Sequence, residues 1–432
     1  MDTILKVNLW GDHVAAVVWD KENEHAVFEY FDSYINKRID IAPLMMPLEE
    51  IERGNRIFSF PGHRGKTFKG LPGLLADSLP DDYGNKIIDE WFASKGRISV
   101  DFTPVDRLCY IGKRGMGALE FEPANNDKVL DVSSEVEIAQ LTELAREVLN
   151  QSKLFQVDLE KGDKAIFDML KVGTSAGGAK PKAIIAWNET TKEVRSGQVK
   201  APDGFTYWLL KFDGVEDKKI NDNPMGIGRI EYAYYKMAIA SGIEMMECRL
   251  LPEGNYAHFM TKRFDRTDDG SKIHSQTLCA IAHFDRDGRY SYEQAFQVMR
   301  RMHLAYSEME QMFRRMVFNV VARNHDDHTK NHSFLMDQSG VWRLAPAYDL
   351  CYSYSPSGKW TSRHQLSLNN KRDEFTYNDL LTVAKNMSIR NANVIIQEIV
   401  EIVSSWETYA REVEVKKEHI ILVKENLRLL RQ

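Results

Sequence analysis

The sequence has 432 residues, with 57 basic and 63 acidic side chains, which gives a formal net charge of −6. Hydrophobic residues make up 43% and charged residues 28% of the chain, a composition typical of globular proteins, and the length predicts two or three domains. The charge argues against a protein that binds nucleic acid broadly without a partner, and no apolar run approaches the roughly 20 residues that span a bilayer.

The cysteines and the first residues indicate the compartment. The four cysteines form no CxxC pair, so neither a zinc ribbon nor a disulfide framework is expected. The opening residues, MDTILKVNLWGDH, lack a basic leader and a sustained apolar stretch, so they do not read as a secretory signal. We therefore expect a soluble, cytoplasmic protein.

The first part of the chain is predicted to be rich in β-strands. Residues 4–30 alternate apolar and polar positions, which indicates two or three antiparallel strands closed by a Gly11-Asp12 turn. Ser134 and Glu137 have the spacing of a capping box, which predicts a helix that begins at Ser134.

The pattern changes from strands to helices along the rest of the chain. Strands are predicted at 182–187, 205–212 and 256–264, and helices at 229–241, 307–322 and 377–431. The helix at 307–322 is expected to open with a capping box from Ser307 to Glu310. A β-rich N-terminal part followed by a mostly α-helical C-terminal lobe predicts an α+β protein with the two-lobed plan of protein kinases, in which the nucleotide binds between the lobes.

The segment NHDDHTKN and the downstream PAYD carry the spacing of a kinase catalytic centre. In protein kinases, the aspartate that accepts the substrate hydroxyl proton is followed five positions later by an asparagine that binds magnesium. Asp326 and Asn331 have this spacing. A second metal-binding aspartate is expected one hairpin downstream, and Asp349 is the candidate. These residues predict phosphoryl transfer with ATP and Mg²⁺.

A glycine-rich segment, KVGTSAGGAKPKA (171–183), precedes the catalytic segment. Gly177 and Gly178 would let backbone N–H groups approach phosphate oxygens, although a flexible loop is the alternative interpretation. The segment is neither a Walker A sequence nor a Rossmann fingerprint. Lys211, near the end of the following strand, is positioned to reach the α- and β-phosphates.

The catalytic segment also contains His325, His328 and His332, which with the neighbouring aspartates form an HDxxH pattern typical of transition-metal sites. A dinuclear hydrolase would need similar clusters elsewhere, and the remaining histidines stand apart in the sequence. We therefore interpret these histidines as packing and hydrogen-bonding groups, with His328 and Lys330 near the phosphates.

Several longer motifs resemble the HipA family, the serine/threonine kinase toxins of bacterial toxin-antitoxin pairs, over nearly the whole chain. LPGLLADSLPD (71–81) and DRLCYIGKRGMGALEF (106–121) are similar to the family's N-terminal region. SAGGAKPKA (175–183) resembles its Gly-rich loop, and KRFDR (262–266) resembles the segment that joins the lobes. NHDDHTKN and APAYDL (345–350) resemble its catalytic and metal motifs.

The resemblance implies three parts and a set of roles. The parts are a HipA-type N-terminal β-rich subdomain at 1–122, a kinase N-lobe at 134–265 and a mostly helical C-lobe at 266–432. Asp326 would be the proton acceptor, and Asn331 and Asp349 the magnesium ligands. The residues implied to bind ATP are Gly177, Gly178, Ala179, Lys180, Pro181, Lys182 and Lys211 at the phosphates, with His328 and Lys330 close by, and the backbone of Lys262, Arg263 and Phe264 at the adenine.

One serine matches a residue that is modified in the family, and three other positions differ from the family's pattern. Ser175 matches a loop serine that family members autophosphorylate, and the added charge should expel the loop and inactivate the enzyme. Asp327 stands where the best-known members carry glycine, and Lys180-Pro181 replaces a Gln-Glu type pair. Lys371 and Arg372 lie where the family can contact DNA, but two acidic neighbours dilute them, which favours a solvent-exposed surface.

The function implied is an ATP- and Mg²⁺-dependent protein serine/threonine kinase that acts as a toxin. The substrate would be a translation component such as an aminoacyl-tRNA synthetase, and a small HipB-like helix-turn-helix antitoxin would bind the kinase and carry the complex to operator DNA. Two alternatives are an antitoxin-bound transcriptional corepressor with minor kinase activity and a small-molecule kinase of the aminoglycoside type.

Overall fold

A computed structural model describes residues 4–80, 84–85, 87–89, 91, 102–124, 128–150, 169–173, 181–215 and 226–431. The chain divides into two units. Unit 1 contains Met1–Met225, Leu251–Gln276 and Met336–Val341, and unit 2 contains Gly226–Leu250, Thr277–Leu335 and Trp342–Gln432. Strands predominate in unit 1 and helices in unit 2, which confirms the predicted α+β class. Within the described ranges, no helix combines the length and the apolar character needed to cross a membrane.

The first sheet of unit 1 is antiparallel and has five strands. They are β1 Leu5–Leu9, β2 Asp12–Asp20, β3 His25–Tyr30, β4 Ile57–Ser59 and β5 Leu119–Glu122, in the order β4-β3-β2-β1-β5. Leu9 pairs with Asp12, so the turn between β1 and β2 consists of Trp10 and Gly11. Both turn residues have positive φ, 51° and 89°, as a type I′ hairpin requires. The predicted Gly11-Asp12 turn is therefore wrong by one residue, because Asp12 already belongs to β2.

The second sheet belongs mainly to unit 1 and has five strands, and the strands predicted at 182–187, 205–212 and 256–264 are three of these five. The five strands are β6 Lys182–Trp187, β7 Val194–Ser196, β8 Thr206–Lys211, β9 Cys248–Glu253 and β10 Tyr256–Lys262, in the order β7-β6-β8-β10-β9. One face of this sheet forms a buried core, to which Ile185, Trp208, Leu210 and Met260 contribute. These residues alternate with the ones that point to the opposite face, as the pleat of a strand requires.

Several helices of unit 1 lie within the described residues. They are α1 Asp32–Ile35, α2 Leu48–Glu52, α3 Gly73–Ala76, α4 Pro104–Ile111 and α5 Ile138–Asn150, with 3₁₀ turns at Pro61–His63 and Lys128–Asp131. The predicted helix start at Ser134 is wrong. The Ser134 N–H donates to Ser196 Oγ at 3.2 Å, and the Ser196 N–H donates to Ser134 O at 2.8 Å. Ser134 is thus paired beside β7, and the helix begins four residues later.

Unit 2 is built from helices. They are α6 Ile227–Ala240, α7 Leu278–Ala282, α8 Tyr292–Arg301, α9 Tyr306–Val321, α10 Tyr377–Asn386, α11 Ala392–Ser404, α12 Trp406–Glu412 and α13 Lys417–Asn426. Three short strands, β11 His274–Thr277, β12 Ser333–Met336 and β13 Trp342–Leu344, belong to unit 2 only in part, because residues 274–276 and Met336 belong to unit 1. Helix α9 packs against α11, and α6 packs against α12.

Helix α9 leads directly into the catalytic segment, so its limits matter for the site. Its N-cap is Ala305, whose N–H donates to the Glu308 carboxylate at 2.9 Å. The predicted capping box from Ser307 to Glu310 is therefore wrong by two residues, because both side chains lie within the helix. The apolar periodicity was sufficient to predict the helix itself but not its first turn.

Candidate active site

The candidate catalytic loop begins where α9 ends. Arg323 follows the helix with a φ of +58°, and the Asn324 N–H donates back to Asn319 O at 2.9 Å. This hydrogen bond spans six residues, as in a Schellman motif, and Arg323 occupies the position with left-handed backbone conformation, which is usually glycine. Arg323 is held there because its Nε donates to Asn426 O at 2.7 Å. The helix end therefore fixes the start of the loop.

Asp326 and Asn331 lie at the two ends of the loop and contact each other. The Asn331 Nδ2 donates to the backbone oxygen of Asp326 at 2.7 Å, and a 3₁₀ turn, Thr329–Asn331, brings the two residues together. The Asp326 side chain is 41% exposed, and its Oδ1 lies 3.7 Å from His328 Nε2. Asp326 thus presents its carboxylate at the surface of unit 2 while its backbone is bonded to Asn331.

Asp349 belongs to the segment that follows β13. Its φ is +57°, and its backbone oxygen accepts a bond of 3.4 Å from Asn324 Nδ2. The neighbouring Tyr348 hydroxyl donates to Lys330 O at 2.7 Å. Two side-chain-to-backbone bonds therefore tie the segment of Asp349 to the catalytic loop.

The residues predicted to bind magnesium share one small cavity. Asn331 and Asp349 line it, together with Asp327, Asn324 and His332. Because Asn331 donates from Nδ2 to Asp326, its Oδ1 is the atom left to act as a ligand. One amide oxygen and one carboxylate suit Mg²⁺, which usually takes one or two protein carboxylates and completes its shell with water and phosphate oxygens. The residues present therefore fit a magnesium ion bound together with a nucleotide.

The three histidines of the loop do not form a metal site. Burial lowers the pKa of His325 and of His332 to about 3 and that of His328 to about 4, so all three are neutral near pH 7. His325 packs against His364, with ring centroids 4.1 Å apart and the ring planes tilted by 37°. Within the part of the chain that the structure describes, no three His, Cys, Asp or Glu side chains come together as a metal site. The HDxxH hypothesis is thus not supported, and packing explains the histidines better.

Asp327 has a central position in the loop, although its place in the sequence predicted no catalytic role for it. Its side chain is fully buried and accepts four hydrogen bonds. Oδ2 accepts from the Tyr292 hydroxyl and from His364 Nδ1, each at 2.8 Å, and Oδ1 accepts from the N–H groups of Gln365 at 2.7 Å and Leu366 at 3.4 Å. Tyr292 and His364 are 35 and 37 residues away in sequence, so no local pattern could have pointed to them.

The predicted phosphate-binding lysines lie side by side in unit 1. Lys182 on β6 pairs directly with Lys211 on β8, and Lys211 pairs with Phe259 on β10. Directly opposed residues on antiparallel strands point to the same face, so both lysines lie on the face opposite the core. Pro181 precedes them and is buried. Residues 174–180, which include Ser175, Gly177, Gly178, Ala179 and Lys180, lie outside the described residues.

The segment predicted to meet adenine is held by buried charges. The Arg263 N–H donates to Tyr207 O at 2.8 Å, so this backbone donor is already used. The Arg263 guanidinium donates to both oxygens of Asp265, at 2.8 and 2.7 Å. The preceding Lys262 is half-buried and its Nζ lies 2.6 Å from Asp268. Contact of the backbone of Lys262, Arg263 and Phe264 with adenine stays a prediction. The N–H of Arg263 is excluded from it, because that group already donates to Tyr207 O.

Lys371 and Arg372 both have partners within unit 2. The Lys371 Nζ lies 2.8 Å from an oxygen of Asp379, and Arg372 Nε donates to His364 O at 2.6 Å. The Lys371 side chain is still 44% exposed. Contact of these residues with DNA stays a prediction.

Comparison with known proteins identifies the family of this α+β protein. The HipA-like C-terminal domain matches residues 174–406, and the HipA N-terminal domain matches residues 5–122. Because the first match alone covers more than half of the 432 residues, the chain belongs to the HipA family. The resemblance seen in the sequence motifs is thereby confirmed.

The proteins that are similar to the chain include two curated proteins and one solved structure. "Putative kinase Y4dM" of Sinorhizobium fredii is 26% identical over 158 residues, which cover 33% of this chain and 36% of that protein. A "Putative kinase" of Haemophilus influenzae is 25% identical over 176 residues, which cover 34% of this chain and 51% of that protein. The chain thus spans between about a third and half of the length of the curated relatives it matches.

The solved structure is the Shewanella oneidensis MR-1 toxin-antitoxin complex of HipA, HipB and operator DNA. It matches with a TM-score of 0.64 and 16% identity over 98% of this chain and 95% of that chain. At this identity the likeness concerns the fold, which the two chains share over almost their whole length.

Proposed function

We propose that the chain is an ATP- and Mg²⁺-dependent serine/threonine protein kinase that acts as a HipA-type toxin. The observation that carries this proposal is the arrangement around the catalytic loop. Asn331 and Asp349 line one cavity, and the amide of Asn331 is bonded to the backbone of the exposed Asp326. The candidate proton acceptor and the two candidate magnesium ligands are thus close together in unit 2, which supports a role in phosphoryl transfer.

Catalysis by such a site consists mostly of positioning and of charge neutralisation. Asp326 would orient the substrate hydroxyl and accept its proton. His328, whose pKa is lowered by burial to about 4, is neutral near pH 7 and can bond to Asp326 without forming an ion pair. Asn331 and Asp349 would hold magnesium, which supplies positive charge to the phosphates when it is bound.

Lys182 and Lys211 would bind the phosphates of ATP. Like charges directly opposite each other across two strands are destabilising, and an anion on the same face of the sheet removes that cost. The Gly177 to Lys180 segment would close on the phosphates, and phosphorylation of Ser175 would add charge there and push the segment away. Self-inactivation is the proposed consequence.

The partners belong to the same proposal. A HipB-like antitoxin is supported by the Shewanella HipA structure, which was solved with HipB and operator DNA. The substrate would be a component of translation, such as an aminoacyl-tRNA synthetase, and operator DNA would be reached through the antitoxin. Lys371 and Arg372 are the candidate DNA contacts of such a complex.

Incubation of the purified chain with labelled ATP and Mg²⁺, alone and with cell extract, tests the proposal. We expect label on the chain itself, at Ser175, and on a protein of the extract. Asp326→Asn should abolish this transfer and leave ATP binding intact, because it removes the proton acceptor and none of the phosphate contacts. Absence of label from every protein would refute the proposal, and label on a small metabolite with none on Ser175 would indicate a small-molecule kinase instead.

A further inference from the structure

The buried carboxylate of Asp327 connects three separate segments of unit 2. Its four donors come from α8, through Tyr292, and from the stretch His364 to Leu366, while Asp327 itself belongs to the catalytic loop. A carboxylate has about four lone-pair positions, and here each oxygen accepts two bonds. A buried acceptor with all its positions filled rigidifies its surroundings, whereas a partly filled one costs free energy.

The same network continues to Asp349. The Tyr292 hydroxyl accepts a bond of 3.0 Å from Asn319 Nδ2, and Asn319 Oδ1 accepts one of 2.9 Å from Asn324 Nδ2. Asn324 Nδ2 also reaches the backbone oxygen of Asp349 at 3.4 Å. A continuous chain of side-chain bonds therefore runs from Asp327 through the end of α9 to the segment of the second predicted metal ligand.

The charge of Asp327 is maintained in this buried position. Burial by itself raises the pKa of a carboxyl group, but His364 and the donated hydrogen bonds hold the pKa of Asp327 below its usual value. Asp327 is therefore ionised near pH 7. A residue without an acceptor in its side chain could accept none of the four bonds at this position.

We propose that Asp327 is the positioning residue of this active site, fixing the adjacent Asp326 and, through Tyr292, Asn319 and Asn324, the segment of Asp349. Because four donors from the fold occupy both of its carboxylate oxygens, Asp327 would act through its neighbours. Because Asp326 immediately precedes Asp327 in the chain, a displacement of the Asp327 backbone would also move Asp326, the proposed proton acceptor. This inference rests on the proposed kinase function and deepens it.

Asp327→Asn is the test variant, and Asp379→Asn is its matched control. Asparagine keeps the shape of the side chain but loses the charge and presents an NH₂ group to donors. Asp379 is likewise a buried carboxylate of unit 2 that accepts several bonds, from Asn369, Lys371 and Thr376, but it caps α10 and lies outside the catalytic loop. Tyr292→Phe removes a single donor and is the milder second variant, which should fold even if Asp327→Asn does not.

Two measurements on the full chain separate positioning from general stability. The first is hydrogen exchange of the backbone amides, followed by mass spectrometry. We expect faster exchange in residues 324–332 for Asp327→Asn and, to a smaller extent, for Tyr292→Phe, and no such change for Asp379→Asn. The second is steady-state phosphorylation, in which Asp327→Asn should lower kcat roughly 10- to 100-fold with little change in KM for ATP.

Each result of these two measurements has its own consequence for the proposal. Unchanged exchange in residues 324–332 for Asp327→Asn and Tyr292→Phe overturns the inference, and so does faster exchange with an unaltered kcat. An equal fall of kcat in Asp379→Asn also overturns it, because the effect would then be general destabilisation. If the unmodified chain transfers no phosphate, the kinase proposal fails, and the exchange measurement still decides whether Asp327 orders the loop.

Discussion

Asp265 pairs with two arginines in the interior of unit 1, and its charge should contribute several kcal/mol to the stability of this unit. Its carboxylate lies 2.7 Å from Arg263 Nη2 and 2.9 Å from Arg266 Nη1, and it accepts the Gly117 N–H at 2.7 Å. The three charged side chains are between 0% and 3% exposed. Although burial alone would raise it, the two guanidinium groups hold the pKa of Asp265 well below its usual range.

Asp265→Asn keeps the shape of this side chain and removes its charge, so that two buried guanidinium groups lose their counter-charge. Loss of one partner from a buried ion pair costs about 3–5 kcal/mol, which is the decrease we expect in the free energy of unfolding. Asp268→Asn is the matched control, because Asp268 is 72% exposed and pairs with the half-buried Lys262. Exposed pairs contribute about 0–1 kcal/mol.

Urea unfolding followed by circular dichroism measures both variants against the unmodified chain. Because the folded pKa of Asp265 is depressed, its contribution is present above the unfolded pKa of about 4 and is lost as the pH falls below that value. The difference between Asp265→Asn and the unmodified chain should therefore be largest near pH 7. A loss in Asp265→Asn no greater than that in Asp268→Asn would refute the reasoning.

Two further predictions concern the histidines and the lysine pair. The free energy of unfolding should fall as the pH drops from about 6.5 to about 4. In this range His325, His328 and His332 bind protons in the unfolded chain but remain neutral in the folded chain, because burial lowers their pKa values. Urea titrations that give a constant free energy of unfolding across this range would contradict this prediction. Lys211→Met should weaken ATP binding roughly 10- to 100-fold, because it removes a charge-assisted hydrogen bond. Lys200→Met, at an exposed position, is the control and should leave ATP binding unchanged. If calorimetry finds equal ATP affinities for the two variants, Lys211 does not bind the phosphates.

Features that depend on neighbours in sequence could be predicted from the sequence. The β-type runs of β6, β8 and β10 and the helical spacing of apolar residues in α9 were each sufficient to predict the element, because these patterns lie within a few successive residues. The limits of the elements were less predictable. Ser134 has the spacing of a helix cap, but its backbone is bonded to Ser196, 62 residues away, and that contact prevents capping.

The candidate site likewise has a part that could be predicted from the sequence and a part that could not. The five-residue spacing from Asp326 to Asn331 is local and was visible, whereas the support of the loop comes from distant segments. His364 stood alone in the sequence and yet lies against both Asp327 and His325. Nothing in a single sequence records a contact between residues so far apart, because such contacts follow from the packing of helices rather than from local periodicity.

The two adjacent aspartates of the loop have different surroundings, and the difference agrees with the separate roles proposed for them. A proton acceptor must present a lone pair to the incoming hydroxyl, and Asp327 has none to offer, since each of its oxygens already accepts two bonds inside the fold. Asp326 has a side chain that is 41% exposed, so a substrate can reach it. In the proposed mechanism, the buried carboxylate of Asp327 would therefore hold the backbone, and the carboxylate of Asp326 would be held where a hydroxyl group can approach it.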